Sequence, residues 1–430
     1  MQTRIAEPHI ATIARKALQT PGILGKDDTS AIFYNLSFLE ERILDLIRLF
    51  PENSLHSLAI KANPLFEILR KIRTLGVGAE AASLPELQLA LEAGYDPSHI
   101  VFDSPCKTME EIEFALQKNI HINADSLQEL ERIGVLMEKT RSNSYVGVRI
   151  NPQVGTGAIK STSVAGPISK FGVPLDNNRE ALKDCFRKYS WLKGVHLHIG
   201  SQGMPLELLT RGVRRIMDLA LEVNREITGS GNRKRIFIFD IGGGMPVSYQ
   251  FDRIPVSMSD YRSALEKEVP ELFTGDFRII TEFGRYIHTN CAWAISRVEY
   301  VKRERDYNIL MTHLGADFLL RECYNPLDWH HEISVLDHQG RPKDASVKEK
   351  YFIAGPLCFA GDIIGHDLEL PFVNEGDYIV IHDVGAYTMG MWSRYNSRQV
   401  PLILGYRDDK GGFEVLKERE DVVKVLDFWK

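Results

Sequence analysis

A chain of 430 residues is too long for one compact core, so two domains are expected. Its net charge of -6, with no long basic block, gives a nucleic-acid partner no electrostatic support. No apolar run approaches the roughly 20 residues that span a bilayer, so no membrane partner is expected.

The N-terminal stretch "MQTRIAEPHIATIARKALQTPG" has no apolar signal core, which makes cytoplasm the default location. The run "AIFYNLS" reads as a strand. The segment 1–35 is therefore expected to lie outside the first large domain and to contribute that strand to the C-terminal sheet. From 36 to 292 short apolar runs alternate with helix-like runs. The strands are "HSLAIKAN", "VGAEAAS", "HIVFDSP", "IHINADS", "YVGVRINP", "GVHLHIGSQ", "RIFIFDIGGG" and "FRIITEFGRYI". Between them the apolar residues fall at helical spacing, as at Leu87, Ala90 and Leu91. Eight such units over about 250 residues match the count of a (β/α)8 TIM barrel. From 293 to 430 the helical period nearly vanishes. "AWAISRVEYVKRE", "YNILMT", "HEISVLD", "KYFIAGP", "DYIVIHDVG" and "PLILGY" read as strands of an all-β domain, a sandwich or small barrel. Five cysteines (Cys106, Cys185, Cys291, Cys323, Cys358) are scattered and form no CxxC, which argues against a disulfide framework and a structural metal.

Barrel active sites sit where the strands end. Those ends carry Lys61, Glu80, Ser83, Asp103, Asn123, Arg149, Asn151, His198, Ser201, Gly242 to Gly244, Glu282 and Arg285. Three successive glycines in "DIGGGMP" let backbone N–H groups approach an anion, a phosphate above all, although a tight turn also explains one or two of them. A lysine in a barrel mouth can serve as an amine nucleophile that forms a Schiff base, or can simply pair with Glu80 or Asp103. A phosphate cradle and a Schiff-base lysine together describe pyridoxal 5'-phosphate. Glu282 then stands where a carboxylate keeps the ring nitrogen protonated. His198 is placed to pack on the ring face, and His196 reads as structural.

These stretches resemble the fold type III (alanine-racemase-like) pyridoxal-phosphate decarboxylases, and within them the diaminopimelate decarboxylases with their ornithine and arginine decarboxylase relatives. The resemblance is carried by "AIKANP", "GVGAEAASLPEL", "VFDSPCKTMEEI", "RINP", "SKFGV", "GVHLHIGSQ", "DIGGGMPVSY", "EFGRYI", "GPLCFAGDII" and "DVGAYTMGMWSRYNSR", in the family's order. It implies Lys61 as the Schiff-base lysine, Glu80 beside it and His198 stacked on the ring. It implies Ser201, Gly242, Gly243, Gly244 and Tyr387 at the phosphate, and Glu282 at the pyridine nitrogen. Arg285 resembles a substrate-facing arginine, and Arg321 and Tyr324 stand near the family's altered Arg-Pro-x-Leu-Tyr segment. Cys358 resembles a cysteine donated across a head-to-tail homodimer with shared active sites. The family places Glu or Asp directly after this cysteine, facing the substrate's distal amine. This chain has Phe359 there, and Asp362 and Glu322 are the nearest replacement acids.

The expected activity is decarboxylation of an amino acid, either diaminopimelate-like, a D-amino acid or a secondary-metabolite precursor. A racemase of the same fold would use the same lysine but normally needs a tyrosine in place of the cysteine loop. A non-catalytic cofactor-binding homologue would have lost Lys61, the glycines or Cys358, and none is lost.

Overall fold

The computed structural model describes residues 4–25, 27–228, 235–253 and 255–430. It divides into two compact units. One comprises Arg42–Val247 and 255–286; the other comprises 4–41, 248–253 and Ile287–Lys430.

In the first unit eight parallel strands close on themselves. They are Leu55–Ala59, Gly78–Ala81, Ile100–Phe102, His121–Ala124, Val146–Asn151, Leu192–His196, Ile238–Asp240 and Arg278–Thr281. Each pairs with the next, and the closure is Ile280 against Leu55. The strands are short and buried on both faces, as parallel strands covered by helices must be. Four of the barrel helices begin at a Ser or Thr cap. Ser83, Ser126 and Ser257 accept from the N–H three residues on, and Thr108 with Glu111 forms a reciprocal capping box. These caps fix the point at which each chain segment turns away from the mouth. A ninth pairing joins Val173–Pro174 to Val146–Asn151. Two residues are too few to leave a period in the sequence.

The second unit contains two sheets. The six-stranded sheet runs Ile333–Leu336, Tyr378–Ile381, Ala292–Arg297, Ser30–Asn35, Leu402–Tyr406, Glu414–Lys417. The four-stranded sheet runs Tyr300–Arg303, Asn308–Met311, Lys348–Ala354, Ile363–Pro371. The segment "AWAISRVEYVKRE" is thus two strands in two sheets rather than one. Its first half is buried on both faces and its second half largely exposed, so a single sheet cannot satisfy both. Helix Glu7–Gln19 lays Ile10, Ala14 and Ala17 against Phe33, Trp293 and Leu404. Phe33 and Trp293 stack at 4.2 Å in this core. A short helix, Leu320–Tyr324, also interrupts a region whose sequence has no helical period.

Candidate active site

Lys61 lies in one 3-10 turn, Ile60–Ala62, that follows strand Leu55–Ala59. Its Nζ bonds Oε2 of Glu80, whose side chain is fully buried while that of Lys61 is 39% exposed. Burial pushes the Glu80 carboxyl up to about 8; Lys61 pulls it down, and Glu282 and Asp103 add to the rise. Glu80 therefore keeps its proton through neutral pH, directly beside the Lys61 amine.

Glu80 belongs to a buried layer of charge. Strand register sets Arg149 beside His196 and His196 beside Asp240. Arg149 Nη1 donates to Asp103 Oδ2 (3.1 Å) and its guanidinium lies over the Phe171 ring (4.5 Å). His196 has Asp103 Oδ1 at 3.4 Å from Nδ1 and Glu282 Oε2 at 3.7 Å from Nε2. Four acids and two fixed cations share this layer, and their charges sort themselves. Burial pushes Asp240 up to about 8, so it too is neutral. Asp103 and Glu282 lie below their ordinary values. Burial opposes their ionisation, and Arg149 with His196 for Asp103, and His196 for Glu282, overcome it. From sequence Asp103 and Arg149 are visible at strand ends, Asp103 only as a possible partner of Lys61, His196 reads as structural, and Asp240 is not singled out; their pairing is a matter of barrel register.

The three glycines are each required by backbone packing. A Cβ at Gly242 would sit 2.4 Å from Leu197 O, at Gly243 2.5 Å from Glu282 O, and at Gly244 2.6 Å from Gly200 O. Gly242 and Gly244 also adopt positive φ. Gly242 N–H donates to Asp240 Oδ1 (2.9 Å), and Gly243 N–H donates to His198 Nδ1 (3.1 Å). The second bond makes Nδ1 the acceptor, so the His198 proton resides on Nε2. Burial, helped by Arg149, lowers the His198 pKa to about 3, which leaves a neutral ring. Arg285 Nε donates to Ser201 Oγ (3.0 Å), bringing two sequence-predicted residues together.

The pyridoxal-dependent decarboxylase model, for the pyridoxal binding domain, matches residues 36–289. The chain belongs to this family. It is 32% identical to the diaminopimelate decarboxylase of Methanothermobacter thermautotrophicus over 86% of this chain and 83% of that protein. It is 31% identical to the Helicobacter pylori (strain J99) diaminopimelate decarboxylase over 94% of this chain and 95% of the relative. The crystal structure of diaminopimelate decarboxylase from Helicobacter pylori complexed with L-lysine superposes with a TM-score of 0.82 at 29% identity, covering 94% and 97% of the two chains. The protein is a pyridoxal-phosphate-dependent amino-acid decarboxylase.

The barrel mouth fits this cofactor. Among the described residues Oε1 of Glu282 and Oε1 of Glu80 are buried with no hydrogen-bond partner. A buried acceptor without a donor is costly and rare, and the cofactor's ring N–H is such a donor. Lys61 offers the amine and His198 a neutral flat ring.

The other decarboxylase residues expected from sequence lie in the second unit. Arg321 is held between the rings of Trp329 and Tyr387, each 4.7 Å from its guanidinium. Tyr387 has φ 60°, strained for a non-glycine, in a loop anchored by Asn290 on Asp383 and Thr388 on Val384. Cys358 is exposed, and its N–H donates to Asn396 Oδ1 (2.7 Å). Phe359 stacks on Tyr324 (5.6 Å, 23°) and meets Tyr395 edge-on (6.2 Å, 83°). Asp362 is buried, and its carboxylate accepts the N–H groups of Ala316 and Leu357, both at 2.6 Å. Glu322 is buried 3.0 Å from His331 Nδ1.

Proposed function

We propose that this decarboxylase acts on an amino acid whose distal end carries no ammonium group, in a site completed by Cys358 of a second subunit. The observation that carries the substrate assignment is the setting of Phe359. It stands where relatives place an acid, and it is held between two tyrosines rather than free to swing aside. Asp362 is engaged elsewhere, holding two backbone amides of its own loop, and Glu322 is buried 3.0 Å from His331 Nδ1. We therefore assign Asp362 to loop structure rather than to substrate. Diaminopimelate, named in the relatives, ends in both an ammonium and a carboxylate. Desolvating that ammonium without an acid costs several kcal/mol, on the order of a buried pair broken at one side. Phe359 offers a ring and no charge, a surface on which an apolar or flat distal group packs.

When bound, the cofactor supplies an aldehyde that links to an amine and a protonated pyridine ring that takes the electron pair left as CO2 departs. Lys61 would hold the cofactor through its amine, beside the Glu80 proton. Glu282 Oε1 would accept the ring N–H, and the neutral His198 ring, in the orientation set by Gly243, would pack on the cofactor. Gly242, Gly243, Gly244, Ser201 and Tyr387 would hold the phosphate. Arg285, tethered by Ser201, and Arg321, tethered by Tyr387, face the substrate's carboxylate groups, while Tyr324 with Phe359 forms the distal wall. The Cys358 thiol returns a proton to the carbon that lost CO2. Scattered free cysteines support a cytoplasmic setting. Among the described residues no helix is long and apolar enough to cross a membrane.

Phe359→Glu tests the distal wall. The variant is expected to raise kcat/KM for diaminopimelate at least about tenfold relative to a neutral-ended amino acid, a change of about 1.4 kcal/mol. An unchanged ratio between the two substrates would remove Phe359 from specificity.

A further inference from the structure

We propose that His196 is a positioning residue that clamps Glu282, so that one carboxylate oxygen is turned away and the other is presented to the cofactor's ring nitrogen. The proposal rests on the assignment of Glu282 to that nitrogen.

His196 is the last residue of strand Leu192–His196 and has no exposed surface. A core histidine is ordinarily neutral, with one ring nitrogen satisfied. Here neither ring nitrogen makes a hydrogen bond among the described residues, yet both lie at ion-pair distance from a carboxylate, Asp103 Oδ1 at 3.4 Å on one side and Glu282 Oε2 at 3.7 Å on the other. Asp103 is in turn fixed by Arg149, which is held by the Phe171 ring and lies 3.7 Å from Asp125. The result is one line of alternating charge: Arg149, Asp103, His196, Glu282. A protonated His196 neutralises one carboxylate in a layer where adjacent buried anions would otherwise suppress each other's ionisation. Burial opposes that proton, but the Asp103 and Glu282 carboxylates outweigh it and hold His196 well above its ordinary value.

The geometry also selects which oxygen of Glu282 does what. Oε2 lies toward His196, while Oε1 is the buried oxygen with no partner among the described residues. A carboxylate held at one oxygen has its plane and rotamer set, as when an outer partner orients a ligating side chain. An ionised Glu282 then keeps the ring nitrogen protonated, which is what makes the ring an electron acceptor. His198 presents its face to the same ring, but its Nδ1 is occupied by Gly243 N–H and it stays neutral, so it cannot supply this charge.

The test uses holoenzyme loaded with pyridoxal phosphate carrying 15N in the ring. Wild type is expected to show the chemical shift of a protonated ring nitrogen. His196→Phe keeps a flat ring without nitrogens, at a somewhat larger volume. It should move that shift toward the unprotonated value and lower kcat about 10- to 100-fold, with KM little changed. His196→Gln retains one donor and should fall between; it also serves if the Phe variant fails to fold. A protonated shift and wild-type kcat in either folded variant would overturn the proposal and return His196 to the core. Glu282→Gln is the control for the underlying assignment. If that variant keeps the protonated shift, the role given to Glu282 fails, whatever His196 does. The ligating atoms of Asp103, His196 and Glu282 lie within 4.8 Å of one another. A divalent ion retained at one per chain by wild type, and lost in both His196 variants, would also overturn the clamp in favour of a metal site.

Discussion

Glu80 has no exposed surface and lies against the amine of Lys61, so its protonation decides how that amine is held. Its folded pKa of about 8 exceeds its ordinary 4.5. The folded protein therefore binds the proton more tightly than the unfolded chain between those two values. The stability Glu80 contributes is present at acid pH and is lost as pH rises through that window, at up to about 1.4 kcal/mol per pH unit. Glu80→Gln, neutral at every pH, should flatten this fall in the cofactor-free protein. Denaturant titrations of both proteins at about pH 5 and about pH 8 check it, and parallel losses in the two would contradict the assignment. At this scale the strand-end residues with one distinctive chemistry, Lys61, His198 and Glu282, were legible because a lysine or a lone acid closing an apolar run needs a reason. His196 was read as structural, Asp103 only as a possible partner of Lys61, and Arg149 and Asp240 were given no part. A charge's partner three strands away in sequence leaves no local mark.

The strand–glycine–turn element after Ile238–Asp240 ties residue chemistry to the barrel. Sequence alone left the three glycines divided between a phosphate cradle and a tight turn. The structure gives every one of them a backbone neighbour nearer than a Cβ tolerates, and gives Gly243 the further task of orienting His198. Gly243→Ala should push its Cβ into Glu282 O, costing about 1–3 kcal/mol by overpacking and weakening cofactor binding by tenfold or more. Thermal unfolding and a pyridoxal-phosphate titration measure the two effects. Unchanged values for both would mean the loop is looser than its contacts imply. The barrel elements themselves were legible because a short apolar run alternates with an amphipathic helix, four of them capped by Ser or Thr. The split of "AWAISRVEYVKRE" between two sheets was not, because continuous β-forming residues carry no sign of a change of partner. The Leu320–Tyr324 helix is one turn long and too short to show a period.

At the scale of the whole molecule, the residues assigned to one reaction are divided between the barrel unit and the β unit. Lys61, His198 and Glu282 belong to the first; Cys358, Phe359 and Tyr387 belong to the second. The shared-site dimer makes a prediction that a self-contained monomer does not. Mixing inactive Lys61→Ala with inactive Cys358→Ala should restore part of the activity, because a heterodimer has one site with both native residues. No recovery after verified subunit exchange would exclude the shared arrangement. The substrate assignment draws on both the cofactor chemistry assigned to the barrel and the aromatic setting of Phe359. Its most direct measurement is CO2 release by the purified holoenzyme across a panel of amino acids matched in length. The panel should include L-, D- and meso-diamino acids and their counterparts with neutral distal ends, with Lys61→Ala as the blank. Turnover of neutral-ended substrates is expected, with poor turnover of meso-diaminopimelate and L-ornithine. Turnover of meso-diaminopimelate at about 1 per second or faster, the range of ordinary biosynthetic enzymes, would contradict it.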